Sequence, residues 1–256
     1  SRQVVKGSLF FAVPGAKVDG HDFIEQAISQ GAEAIIAQKM EEVSVPFFKV
    51  SDTRKTLAQV SACFHGYPAK DFYACGVTGT NGKTTITYLL ELLFAQELTG
   101  VMGTVNIRYA GKVEEATHTT PDAVELEGSL ARMRDAGVKM VAMEVSSHAL
   151  EQSRAQGVDF DSAIFTNMTQ DHLDYHGDME SYYQSKRKLF FEVLGASSKK
   201  NKLAVINLDD EYGQRLAEEV QPVCAIKTFS LHDKTADLYL LEAEYGIQET
   251  RAKFGY

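Results

Sequence analysis

Gly76-Val-Thr-Gly-Thr-Asn-Gly-Lys-Thr-Thr85 decides how this chain is read. The stretch follows a β-like run, Phe72 to Val77, and opens an amphipathic helical pattern, which is where a phosphate-cradling loop must sit. Backbone N–H groups around Gly79 to Thr84 would point at phosphates, the Lys83 ammonium would add positive charge at the terminal ones, and the Thr84 hydroxyl would reach a magnesium ion. The expected ligand is a nucleoside triphosphate, contacted by Gly79, Thr80, Asn81, Gly82, Lys83, Thr84 and Thr85. A strict P-loop would carry a glycine at Val77, whereas the glycines here fall at 76, 79 and 82. That variant points away from ordinary kinases and GTPases.

On either side of the loop, β and α patterns alternate. Strand-like runs recur at 72–77, 101–105, 138–145, 161–166 and 203–207, with helical patterns between most of them. Ile86, Leu89, Leu90, Leu93 and Phe94 make one apolar stripe at helical spacing, and Ala123, Leu126, Leu130 and Met133 make another. Such alternation predicts an α/β fold with a mostly parallel sheet flanked by helices. Segments 237–242 and 247–254 read as a hairpin around Glu244-Tyr245-Gly246. Ahead of the loop, short strands at 9–13, 33–37 and 46–50 and a helix from about Asp22 to Gln30 make a smaller α/β unit. A helix over Asp52–His65, signalled by Ser51-Asp52, leads into Gly66-Tyr-Pro-Ala-Lys70, the best linker. The expected division is therefore 1–69 and 70–256.

Composition narrows the function classes. A chain of 256 residues that is 44% hydrophobic can bury a real core. Lys and Arg total 26 against 35 Asp and Glu, a net charge of -9 with no basic block, so neither nucleic acid nor an anionic membrane is an expected partner. An anionic substrate would need a local positive site. Cys63, Cys75 and Cys224 are scattered, fitting a reducing cytoplasm and core positions rather than disulfides or zinc. No apolar run reaches the ~18 to 20 residues needed to span a bilayer, and nothing reads as a signal peptide. A soluble cytoplasmic monomer is the expectation. The chain opens at Ser1 without methionine and closes at Phe254-Gly-Tyr256 straight after a strand-like segment, so a piece of a longer protein is expected.

Ligands of open parallel sheets bind beyond the carboxyl ends of the strands. Three polar groups fall there: the phosphate loop, Glu144 in Met-Glu-Val-Ser-Ser-His148, and Asp171-His-Leu-Asp-Tyr-His-Gly177. Glu144 could offer magnesium a hard carboxylate oxygen, and a histidine could serve a second ion. Taken singly, Glu144 reads as a solvated or helix-capping carboxylate, and His148, His172 and His176 read as loop histidines bonded to backbone. Sharing an edge with the phosphate loop favours function for Glu144 and His172. Lys186, in Tyr182-Tyr-Gln-Ser-Lys-Arg-Lys188, lies on an amphipathic helical pattern and from that pattern alone reads as a surface lysine.

Together the motifs resemble the Mur ligases, ATP-dependent amide-forming enzymes of peptidoglycan precursor synthesis. Gly79-Thr-Asn-Gly-Lys-Thr84, Glu144-Val-Ser-Ser-His148, Thr166-Asn167 with Asp171-His-Leu-Asp-Tyr-His-Gly177, Tyr182 with Lys186, and Asn207-Leu-Asp-Asp-Glu211 are similar to the MurE type in particular. Gly7-Ser-Leu-Phe-Phe-Ala-Val-Pro-Gly15 with Asp19-Gly20 resembles that type's UDP-binding domain. The resemblance implies a UDP-substrate domain over 1–69 and an ATP-binding domain over 70–256, with the family's C-terminal domain, which carries the amino-acid pocket, absent.

It further implies ATP and Mg2+ as cofactors, with Lys83, Lys186 and His172 as the catalytic set and Thr84, Glu144, His172 and Lys186 as metal ligands. Lys186 would be carbamylated, turning a cation into a carboxylate-like ligand. Ser1, Thr119, Thr120, Ser146, Gln152 and Arg154 would bind the UDP-N-acetylmuramoyl dipeptide, with Arg154 supplying the local positive charge. The implied reaction adds a diamino acid, meso-diaminopimelate or L-lysine, through an acyl phosphate, with the piece alone poorly active. Ala16 and Lys17 stand where some relatives place a polar His-Gln pair near uracil. A folylpolyglutamate synthetase-like ligase and a noncatalytic nucleotide-binding module are the alternatives.

Overall fold

A computed structural model describes residues 4–15, 18–39, 42–95 and 98–256. Two sheets organise the described residues. In the smaller, β1 (Ser8–Phe11), β2 (Ala32–Ala37) and β3 (Phe47–Lys49) run parallel in the order β1-β2-β3, with α1 (Ile24–Ser29) crossing between the first two. Ala12, Ile24, Ala27, Ala32, Ile35 and Ala37 make its core; small side chains let α1 lie close on the sheet. Next comes α2 (Thr53–Phe64), whose start is fixed as Ser51-Asp52 predicts: the Asp52 carboxylate accepts from the N–H groups of Arg54 and Lys55.

The larger sheet has ten strands. Its members are β4 (Tyr73–Thr78), β5 (Thr99–Met102), β6 (Asn106–Tyr109), β7 (Lys112–Glu115), β8 (Met140–Glu144), β9 (Ser162–Phe165), β10 (Leu203–Asn207), β11 (Ala225–Ser230), β12 (Leu238–Tyr245) and β13 (Thr250–Gly255). They are ordered β13-β12-β11-β10-β9-β4-β8-β5-β6-β7. The seven strands from β12 to β5 pair parallel, while β13 at one edge and the β6–β7 hairpin at the other pair antiparallel. The mostly parallel α/β expectation holds. Central strands β4 and β8 are buried on both faces and read as unbroken apolar runs. The chain leaves β4 towards β5 on one side, and β9 later returns to its other side. Such a reversal opens a crevice at the strand ends.

Helices cover both faces. They are α3 (Lys83–Phe94), α4 (Ala123–Asp135), α5 (Ser147–Glu151), α6 (Leu173–His176), α7 (Met179–Lys188), which continues in a wider π turn over Leu189–Leu194, and α8 (Glu211–Val220). The α4 stripe behaves as its spacing predicts: Ala123, Leu126, Leu130 and Met133 are all buried. The α3 stripe does not. Ile86 and Leu90 pack on Cys75, Val77, Met140 and Ala142, but the rest of the buried face is Thr87 and Glu91, leaving Leu89, Leu93 and Phe94 exposed. Polar groups hold that rotation. The Thr87 hydroxyl donates to Thr84 O at 2.9 Å, and Arg108 from β6 grips Glu91 through Nε and Nη2 while stacking on Tyr88.

Three smaller departures have local causes. The last hairpin turns at 246–249, two residues later than expected, closed by Gly246 N donating to Glu249 O. The β6–β7 hairpin and β11 were not anticipated, because four-residue strands are too short to show a period and Ala225-Ile-Lys-Thr-Phe-Ser230 does not alternate apolar with polar residues. Cys75 is core as expected, but Cys63 is exposed and Cys224 half-buried. None of the helices among the described residues is long and apolar enough to cross a membrane.

Candidate functional site

The crevice opens at the carboxyl end of β4, where residues 79–82 form the phosphate loop before α3. Gly79 has φ +144°, and a Cβ there would overlap the Thr166 hydroxyl, so only glycine lets the loop lie on the end of β9. The loop is pinned by Thr166 and Asn167: Thr80 N donates to Asn167 O at 2.9 Å, Asn81 N to Asn167 Oδ1 at 3.0 Å, and the Thr166 hydroxyl to Asn81 O at 2.6 Å. Gly82, in left-handed conformation, precedes α3 without a side-chain cap. The first-turn N–H groups of a twelve-residue helix are thereby left for an anion. Thr85 lies exposed in that turn.

Two lysines converge on this loop. Lys83 Nζ donates to Gly79 O at 2.9 Å and Thr80 O at 2.8 Å, while Lys186 Nζ donates to the same Gly79 O at 2.8 Å. Lys186 is buried, 1% exposed, which overturns the surface reading of its helical pattern. Its ammonium lies 4.3 Å from the centre of the Tyr182 ring, and the Tyr182 hydroxyl meets Thr80 Oγ1 at 3.3 Å. Burial lowers the pKa of both lysines; for Lys186 the drop is large, reinforced by the neighbouring Lys83 charge.

Glu144 closes β8 beside the loop and is 1% exposed. Its Oε1 accepts from the Thr84 hydroxyl at 2.9 Å and from Thr104 N at 3.0 Å, and its Oε2 from the Thr104 hydroxyl at 3.1 Å. Gly103 makes room for it, because a Cβ there would overlap the carboxylate. These oxygen donors at the mouth of a phosphate loop suit a hard divalent ion. Among the described residues no group of three or more His, Cys, Asp or Glu side chains is placed to hold a metal ion.

His172 stands apart from Glu144. It adopts φ +52° ahead of α6, about half exposed, with Nε2 3.5 Å from Asp171 Oδ2. Its ring packs edge-on against His148 at 4.9 Å and against Tyr182 at 6.1 Å between centroids, so it approaches Lys186 through Tyr182. His148 and His176 pack together at 5.5 Å, and burial lowers both pKa values, aided by each one's histidine neighbours.

The expected substrate residues form a connected group. The Thr120 hydroxyl donates to Glu144 O at 2.9 Å and accepts from Ser146 N at 3.0 Å. Arg154 Nη1 donates to Thr120 O at 2.8 Å, and its Nε and Nη2 fork onto Gln152 Oε1. Ser146 caps α5, accepting from Ala149 N. Half-burial lowers the Arg154 pKa. Thr119 joins through Thr104, with the two hydroxyls 3.1 Å apart. Ser1, Ala16 and Lys17 lie outside the described residues. Gly103 and Thr104 were missed by the sequence reading; the sole signal was a Gly-Thr pair just past a strand, common in ordinary turns.

Comparison with known proteins follows the same residues. The profile of the Mur ligase middle domain matches residues 77–255, and that of the Mur ligase family catalytic domain matches residues 1–65. A UDP-N-acetylmuramoyl-L-alanyl-D-glutamate--2,6-diaminopimelate ligase of Geobacter metallireducens is 47% identical over 229 residues, covering 87% of this chain and 45% of that protein. A solved structure of a UDP-N-acetylmuramoyl-L-alanyl-D-glutamate--2,6-diaminopimelate ligase superposes with TM-score 0.85 at 31% identity, over 99% of this chain and 52% of that one. A MurF ligase from Thermotoga maritima in complex with ADP gives TM-score 0.57 at 26% identity, covering 99% of this chain and 54% of its own. The chain thus spans about half the length of the relatives it matches.

Proposed function

The chain belongs to the Mur ligase family, and from that premise we propose that it carries the nucleotide- and UDP-substrate-binding parts of an ATP-dependent ligase. The ligase would add a diamino acid to UDP-N-acetylmuramoyl-L-alanyl-D-glutamate. The observation that carries the reading is the junction of the phosphate loop, through Thr84, Glu144 and Thr120, with the Ser146-Gln152-Arg154 group. Names of relatives such as the Geobacter metallireducens protein favour 2,6-diaminopimelate as the amino acid. We assign residues 1–69 to UDP-substrate binding and 70–256 to ATP binding, in line with the small and large sheets.

In this reading the substrate's γ-carboxylate attacks the γ-phosphorus of ATP, releasing ADP and leaving an acyl phosphate. The amine of the incoming amino acid attacks the acyl carbon, and the tetrahedral adduct collapses to an amide with release of phosphate. A magnesium ion held through Thr84 and Glu144 would offset charge on the phosphoryl group. Lys83 would turn from Gly79 O and Thr80 O to the phosphates, and the α3 N-terminus would hold them. Arg154, kept in place by Thr120 and Gln152, would meet the anionic substrate. Lys186 would react with CO2 as its neutral amine, losing a proton to give a carbamate, and with His172 would form the second ligand group.

Thermal unfolding tests the class. Protection by ADP with Mg2+ and by the UDP-muramoyl dipeptide, but not by a folate, is the expected result. Protection by the folate instead would favour the folylpolyglutamate synthetase alternative. Loss of protection by ADP in Lys83→Ala is expected as well.

A further inference from the structure

Glu144 is held by more than its neighbour on the phosphate loop. Three hydrogen bonds reach its carboxylate, and two come from Thr104, one through the backbone and one through the hydroxyl. A carboxylate can only accept, so the single Thr104 proton points at Oε2. The Thr104 oxygen is then free to accept, and the Thr119 hydroxyl 3.1 Å away is the donor. The result is a directional relay from Thr119 through Thr104 to Glu144. It joins β5's end to the loop that carries the proposed substrate threonines.

The backbone places Thr104 for this. Gly103 lets the chain turn against the carboxylate where a Cβ would overlap Oε1, and its N–H donates to Asn106 O at 3.2 Å, closing the turn into β6. Thr104 is itself solvent-exposed, so packing does not explain a threonine here; its bonds do. We propose that Thr104 is a positioning residue that orients the Glu144 carboxylate for the divalent ion and couples it to Thr119. The inference rests on the nucleotide-binding reading above and deepens it.

The test is ADP binding by calorimetry, with Mg2+ and with EDTA, on the chain and on Thr104→Val, Thr104→Ser and Thr119→Val. Losing one charge-assisted hydrogen bond should weaken Mg2+-dependent binding in Thr104→Val by about 5- to 20-fold. Binding in EDTA should stay as in the parent, while the unfolding midpoint should drop by a few degrees, as for loss of any donor to this buried carboxylate. Thr104→Ser, which keeps the proton, should fall within about 3-fold of the parent, and Thr119→Val should lose a smaller factor than Thr104→Val. Parent-like behaviour of Thr104→Val, equal losses with and without Mg2+, or failure of Thr104→Ser to rescue would each overturn the role of the hydroxyl. An unchanged Thr119→Val would overturn the coupling. If the parent bound ADP without any response to Mg2+, this inference would fall while nucleotide binding stood; a parent that bound no ADP at all would overturn the nucleotide reading itself.

Discussion

The Thr84 hydroxyl donates to Glu144 Oε1 at 2.9 Å, joining residues 60 positions apart. One group stands in the first turn of the helix after the phosphate loop and the other at the end of the adjacent strand, so parallel pairing of β4 with β8 sets their distance. Replacing Thr84 by Val leaves Oε1, on a buried carboxylate, with Thr104 N as its donor. The expected cost is about 1–2 kcal/mol of stability. Mg2+-dependent ADP binding should weaken by more than about tenfold, whereas Thr84→Ser should retain most of both. Calorimetry and thermal unfolding read the two effects, and a Thr84→Val protein with parent-like Mg2+ dependence would remove Thr84 from the ion site.

Gly103→Ala places a methyl group against the same carboxylate. Either Glu144 swings out of its seat or the turn after β5 opens, and both break the Thr104 bonds. Overpacking of this kind costs about 1–3 kcal/mol, so the unfolding midpoint should drop by several degrees together with the response to Mg2+. Gly128→Ala, at a glycine that likewise lacks a positive φ and where an added Cβ makes only ordinary contacts, controls for the loss of a glycine as such. A Gly103→Ala protein that binds Mg2+ and ADP normally would show the seat to be soft.

How much of this could be read beforehand depends on the range of the interaction involved. The phosphate loop, the capping Asp52 and the α4 stripe were legible because each is set by neighbours in sequence. The α3 stripe was misread because its buried face is chosen by Arg108, seventeen residues away on an unforeseen strand, which makes Glu91 a better inward residue than Leu93. Burial of Lys186 was invisible for the same reason: its partner, Gly79 O, is 107 residues distant, and its pattern taken alone suits a solvated lysine. Thr104 carried no motif at all. Its role follows from the placement of β5 next to β8 in the sheet.

Lys83 and Lys186 share Gly79 O as acceptor, which brings two amines to one oxygen in a buried setting. Burial and the Lys83 charge both favour the neutral Lys186 amine, the form that reacts with CO2, and the same charge would then stabilise the resulting anion. With 13C-labelled bicarbonate, a carbamate resonance is expected in the parent and none in Lys186→Ala. Lys83→Met should diminish the signal, since both contributions of its charge are removed. An equal signal in the Lys83→Met protein would mean that burial alone governs the reaction.

Glu127, on α4, is buried with neither carboxyl oxygen hydrogen-bonded among the described residues. It lies under α2: a Cβ on Gly157 would meet both Ala58 O and Glu127 Oε1. Burial, with a smaller contribution from Asp159, raises its pKa from 4.5 to about 8. The folded protein therefore keeps a proton that the unfolded chain has lost over this window, and stability falls as pH rises from about 4.5 to 8. While one state is protonated and the other ionised, the slope is at most about 1.4 kcal/mol per pH unit. Thermal unfolding at pH 6, 7 and 8 should show a falling midpoint in the parent, after other groups are accounted for by the same series on Glu127→Gln. The substituted protein should decline less and be the more stable of the two at pH 8, because its neutral amide has no charge to desolvate. Parallel curves for the two proteins would show that Glu127 gains water or a partner when it ionises, and that the contact of α2 with α4 opens enough to admit it.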